Sequence, residues 1–178
     1  MSIAALHESP ATDDRVTSNA TLAAGNKASY PGLGPCRIGQ IVERVVEGRV
    51  IVFYHLTMLD DTDGELFVPV EKAHEIGLRL LMTTTEIPKV LQHLKKAVRT
   101  SDDWKQRASD NLRLFTTGSA FDLAEVVASL TGRGKTRSLT PRESRMLEKA
   151  RRLLVYEISE VMGETRTEAA EHLDQALI

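Results

Sequence analysis

Aromatic side chains are scarce in this chain of 178 residues: four phenylalanines, three tyrosines and one tryptophan make up 4% of it. Any core must therefore be filled mainly by aliphatic groups, and each ring needs its own explanation. Cysteine occurs once, at Cys36, so no internal disulfide can staple the fold. The histidines, His7, His55, His74, His93 and His172, fall at no metal-ligand spacing, so no metal is expected, and no cofactor either. No apolar run approaches the roughly 20 residues that cross a bilayer. The first residues also lack the basic-then-apolar order of a secretion signal, which makes the cytoplasm the expected location and excludes a membrane partner.

The composition that remains, 42% hydrophobic and 27% charged, is that of a folded globular protein. Its net charge of −2 hides an asymmetry. Residues 104 to 152 carry eleven basic side chains against five acidic ones, an excess of +6, and the remainder carries −8. A basic segment of this kind suits a polyanionic partner, although a solvated helix surface has the same composition.

Residues 1–26 are rich in Ala, Ser, Thr, Asp and Asn without periodicity and read as a flexible tail. From 27 to 72 the runs "CRIGQIVERVV", "GRVIVFYHLTML" and "ELFVPV" read as short antiparallel strands separated by Glu47-Gly48 and "DDTDG". In the first run, Ile38 and the pairs Ile41/Val42 and Val45/Val46 alternate with polar residues, predicting one packed and one wet face. Strands this short favour a small bent barrel-like module, which protects its edges. From Glu71 onward, and over 73–178, the periodicity is helical. "TTTEIPKVLQHLKKAV" predicts a helix behind a threonine cap, and "SDDWKQRASDNLRLF" one capped by Ser101. "SAFDLAEVVASL" follows Gly118 as a third. Thr140-Pro141-Arg142-Glu143 is a capping box opening a long helix with Met146, Ala150, Leu153, Leu154, Ile158 and Val161 on one face. Gly163 stops that helix and "TEAAEHLDQAL" forms the last. The predicted class is α+β: a β-module followed by a compact bundle of four or five helices, with short edges and scattered charge that favour a monomer.

Enzymatic constellations fail when tested. "GRGKT" at 132–136 resembles the end of a phosphate-binding loop, but Ser129 stands where the first glycine is required and a helical segment leads into it. It reads as a glycine helix terminus followed by a basic loop. Cys36 has no basic partner nearby in sequence and reads as a small core filler. Glu157 and Glu160 share a helix without a pocket to separate their acidities. No catalytic residue is assigned.

Trp104 resists so simple a treatment. A tryptophan taken alone is more often a packed core residue. Lys105 and Arg107 beside it, however, supply the pairing of basic charge with an apolar wedge that holds phosphates while unstacking a base step. The residues alone leave both readings open.

From about Ala28 to Leu177 the chain resembles the CarD/CdnL family of bacterial transcription regulators. The resemblance is carried by "SYPGLGPCRIGQIVERVVEGR", "FVPVEKAHEIGLR", "DWKQRASDNL", "AEVVASL" and "LTPRESRMLEKARRLLVYEIS". It implies a Tudor-like β-barrel that binds the RNA polymerase β subunit, a module shared with the transcription-repair coupling factor. It further implies a helical domain on promoter DNA at the upstream edge of the melted bubble, stabilising the open complex. By position Trp104 would be the wedge, Lys105 and Arg107 its basic neighbours, and Lys149 and Arg151 further DNA contacts on the long helix. Arg44 would contact polymerase. Phe67 stands where some relatives have a second basic polymerase contact, Ala108 replaces a frequent aromatic, Pro35 and Cys36 replace small residues, and "TGRGKTRS" replaces a more regularly charged stretch. These departures mark a paralogue. The alternative expectation is a protein-interaction adaptor that binds polymerase or another regulator without wedging DNA.

Overall fold

A computed structural model describes residues 21–96 and 103–178. The chain begins as a sheet: β1 (Lys27–Tyr30), β2 (Gly34–Val46), β3 (Arg49–Met58) and β4 (Glu65–Pro69). After a short helix α1 (Val70–Ile76), a two-residue strand β5 (Arg79–Leu80) returns to pair with β1. Every pairing is antiparallel, and the sheet order is β4-β3-β2-β1-β5. Five helices follow: α2 (Ile87–Lys95), α3 (Trp104–Thr117), α4 (Ala120–Thr136), α5 (Pro141–Met162) and α6 (Arg166–Leu177). The layout is α+β, as the patterning predicts.

Local chemistry explains most element ends. The β2–β3 hairpin closes through Glu47 and Gly48 at φ 51° and 77°, the positive pair that matches strand twist in a two-residue turn. Thr140 and Glu143 form the expected capping box on α5, and Thr165 and Glu168 form a second on α6. Gly118 and Gly163 take the left-handed conformation that terminates α3 and α5.

Several expectations are corrected. Ser101 lies outside the described residues, and α3 is capped two residues later by Asp103, whose carboxylate accepts the Lys105 N–H at 2.9 Å. The threonine before α2 is not its cap: Glu86 holds that position, and Thr83 donates its N–H and hydroxyl to the Glu86 carboxylate. Gly132 and Gly134 lie within α4, which runs on to Thr136 instead of ending at the glycines. Helical periodicity from Glu71 hides β5, which is too short to show a period of its own. Residues 22–26 are tied to the sheet although their composition reads as tail: Gly25 N–H donates to Ile38 O and Ile38 N–H to Asn26 O.

The largest correction concerns β2. Ile38 is fully buried, but Ile41, Val45 and Val46 are exposed, Val45 to 73%. Between Ile38 and Ile41 the register slips, two residues on β2, Gly39 and Gln40, facing His55 alone on β3, which is a β-bulge. Beyond it the hairpin extends past the nine buried residues that form the sheet's core. Alternation predicts two faces but not where the core stops.

The helical core is separate, with Leu130, Leu154, Ile158 and Leu173 among its fully buried members. Charged clamps join the halves. Arg79 on β5 donates two hydrogen bonds, 2.7 and 2.8 Å, to Glu157 on α5, and one to Gly118 O. Glu157 is 1% exposed and also accepts the Met82 N–H. Lys27 on β1 pairs with Glu160 at 2.8 Å, and Arg166 on α6 with Asp61 at 2.7 Å. At the same seam a Cβ on Gly34, at φ 104°, would meet Leu153 Cδ2 at 3.0 Å, so only glycine fits there. Glu157 and Glu160, weighed above as an acid–base pair, are structural.

Candidate functional site

Trp104 opens α3 and is 66% exposed, with Lys105 Nζ 5.7 Å from its ring centroid. Helical spacing places Ala108 and Asn111 on its face of α3. The first turns of α5 stand opposite. Together they form a cavity of about 220 Å³ lined by Trp104, Ala108, Asn111, Arg142, Glu143 and Met146, and also by Arg133 and Thr140. Arg133 on α4 pairs with Glu143 at 3.0 Å and so fixes the end of α4 against the start of α5. Burial opposes ionisation of Glu143, yet the N–H and hydroxyl of Thr140, with the charges of Arg133 and Arg107, hold its carboxyl below the usual carboxylate range.

The five candidate DNA contacts are placed differently. Trp104, Lys105 and Lys149 are exposed. Lys149 Nζ lies 5.5 Å from the Phe115 ring centroid, so α3 and α5 also meet farther along. Arg142 and Lys149 are seven residues apart, about 10 Å along α5 at 1.5 Å per residue. Arg107 is 6% exposed and turned inward, its charge acting on Glu143. Arg151 is half-buried and pairs with Asp174 on α6. Sequence reasoning missed Arg142 and Asn111: neither belongs to a motif, and they join Trp104 only because α3 and α5 begin side by side.

A second surface lies on the sheet. Arg44 and Phe67 meet there, with the Arg44 Cζ 3.9 Å from the Phe67 ring centroid. Phe67 in turn stacks on His55, its register partner across β3 and β4, at 4.8 Å and an interplanar angle of 11°. His55 Nε2 is 3.4 Å from Glu65 Oε1. Alternation puts Val42, Ile51 and Phe53 on the same face, all half-buried. No acid pairs with Arg44 among the described residues. A guanidinium held over a ring and without an acid partner among the described residues suits a carboxylate-bearing protein surface.

Other chemistry is limited. Burial pushes the Cys36 thiol up to about 11, leaving it a neutral core group at physiological pH. Among the described residues no cluster of three or more His, Cys, Asp or Glu could hold a metal ion, and no helix is long and apolar enough to cross a membrane.

Residues 86–174 match the family model described as CarD, C-terminal domain, which spans half of the chain. The match begins at the N-cap of α2 and ends within α6, so it takes in Trp104, Arg142 and Lys149; Arg44 and Phe67 lie before it.

Proposed function

The chain belongs to the CarD family of transcription-related proteins, and from that premise we propose that it bridges RNA polymerase and promoter DNA, stabilising the open complex. The Arg44–Phe67 face binds the polymerase β subunit. The groove between α3 and α5 binds DNA at the upstream edge of the bubble. The observation that carries this reading is the exposure of Trp104 between Lys105 and Arg142. An indole that burial would stabilise by a few kcal/mol is kept in water, where it is available to a partner. Lys105, Arg142 and Lys149 supply sequence-independent attraction to phosphates, and the ring selects a distorted junction over plain duplex. Arg107 and Arg151 hold the scaffold that presents them. The protein acts in the cytoplasm as a monomer, and no operator sequence is required.

Trp104→Ala is the direct test. A preference of about 1.4 kcal/mol for the melted form corresponds to about tenfold in its equilibrium, so the lifetime of the open complex should fall about tenfold while polymerase binding is kept. An unchanged lifetime would count against the wedge.

The second reading is an adaptor that binds polymerase or another regulator without wedging DNA. It draws on the inward placement of Arg107 and Arg151, which thins the cationic surface. Phosphate contact predicts a steep linear fall of log affinity with log salt, and a flat profile would favour the adaptor.

A further inference from the structure

We infer that the cavity between α3 and α5 is a receptor for a single unstacked nucleobase. This rests on the reading that the helical groove meets DNA, and it adds a pocket to what would otherwise be only a wedge.

Size is the first ground. At about 220 Å³ the cavity falls below the roughly 300–1,000 Å³ of sites for drug-sized ligands, so one flat ring system is what it can take. Shape is the second. Trp104 supplies an aromatic wall, and bases of any identity stack on such a surface. Ala108, one turn along α3, provides the clearance; a bulkier side chain there would fill the space.

Asn111 is the third ground and the most specific. It is 8% exposed, lines the cavity, and its carboxamide makes no hydrogen bond among the described residues. Its polar atoms are not among the buried side-chain atoms left without a partner, so they keep contact with solvent and meet whatever enters the cavity. A carboxamide offers a donor and an acceptor side by side, which matches the edge of a base.

Charge then separates the base from its phosphate. Glu143 in the cavity wall is balanced by Arg133 at 3.0 Å, which leaves Arg142 as the cation of the lining that can meet the phosphate of the same nucleotide. Lys105 and Arg142 stand near Trp104 where the strand's phosphates would run. A base drawn out at the melted edge would enter beneath the indole and hydrogen-bond to Asn111, and re-annealing would first have to extract it.

Because Trp104 is the only tryptophan, its emission reports on the site directly. The full chain is titrated with three DNAs of equal length: a paired duplex, the same duplex with one bulged nucleotide, and that duplex with an abasic residue in the bulge. The bulged base should bind about tenfold more tightly than the abasic form and quench Trp104 more strongly. Ala108→Leu should remove the difference between these two DNAs. Equal affinity of the wild-type chain for bulged and abasic DNA, with salt-dependent binding to all three, overturns the pocket and leaves DNA contact standing. Absence of binding to all three overturns DNA contact itself. Free deoxyadenosine is titrated alongside; if it bound more tightly than the bulged DNA, the strand would be excluded as the source of the base. The abasic comparison uses the unmodified chain and so holds even where Ala108→Leu disturbs folding.

Discussion

On the sheet, Arg44, His55 and Phe67 are brought together by ladder register across three adjacent strands; around Trp104, the cavity exists only because two helices remote in sequence begin next to each other. A register surface is stiff and depends on few long-range contacts. A surface made where helices meet inherits whatever holds those helices in place, here the Arg133–Glu143 pair, the Thr140 cap and the inward Arg107. The two surfaces therefore answer differently to mutation. The first is damaged by changing its own residues, the second also by changing residues that never touch a partner.

The clamp between the halves gives the largest expected effect. Arg79→Ala would leave the Glu157 carboxylate 1% exposed and without its cation, and removing one partner of a buried pair costs about 3–5 kcal/mol. Denaturant unfolding followed separately by hydrogen exchange at the amides of β2 and β3 and at those of α4 and α5 should show a loss of that order. The two signals should also cease to coincide, because β5 and α5 are no longer joined. A loss under about 1 kcal/mol would mean that Lys27–Glu160 and Arg166–Asp61 hold the seam without Arg79.

Next in size is the sheet surface. Arg44→Glu removes the cation from the Phe67 ring and sets a negative charge where an acidic partner is proposed to dock. Affinity for a polymerase β fragment should drop at least tenfold, about 1.4 kcal/mol, while DNA binding by the α3–α5 groove stays as it was. Equal affinity of the variant for the fragment would move the contact elsewhere. Loss of both activities would show that the surfaces are not independent.

The same contrast explains what could be read from the sequence. Strands β2, β3 and β4, the Glu47-Gly48 hairpin, the α5 capping box and the Gly163 stop are local, decided within a few residues, and are legible, whereas β1 and the two-residue β5 are not. Arg44 and Trp104 are singled out through family resemblance alone, and the exposure of Trp104 excludes the core position that composition leaves open. Three further things were not legible. The bulge beyond which the hairpin outruns its core is a shift of register between β2 and β3, which the pattern of one strand does not carry. Arg107 has the composition of a phosphate ligand but sits on the inner face of α3, a matter of helix rotation. Arg142 and Asn111 acquire meaning only from the meeting of α3 with α5.

The smallest effect concerns the starts of three helices in the helical half, where a Thr-x-x-Glu sequence recurs. Thr83, Thr140 and Thr165 each donate an N–H and a hydroxyl to the carboxylate of Glu86, Glu143 and Glu168. All three carboxyls are held below their ordinary value of 4.5, Glu86 and Glu168 chiefly by the threonine N–H, Glu143 against the opposing effect of burial. A carboxyl whose acidity is raised by folding stabilises the folded state above its unfolded value, and that contribution is lost as the pH falls through the lower, folded value. The turn that leads into α2 and the first turns of α5 and α6 should therefore loosen below about pH 4.5, and hydrogen exchange there should rise relative to β2 and β3. Thr140→Ala, at a cost of about 1 kcal/mol, should produce at neutral pH the opening of α5 that acid produces in the unmodified chain, about fivefold faster exchange. Since Thr140 and Glu143 both bound the cavity under Trp104, the variant should also blunt the preference for a bulged base while leaving the Arg44 surface intact. If exchange at α5 rose yet that preference were untouched, the cavity would not depend on how α5 begins, and the distinction between a surface set by register and one set by helix meeting would fail.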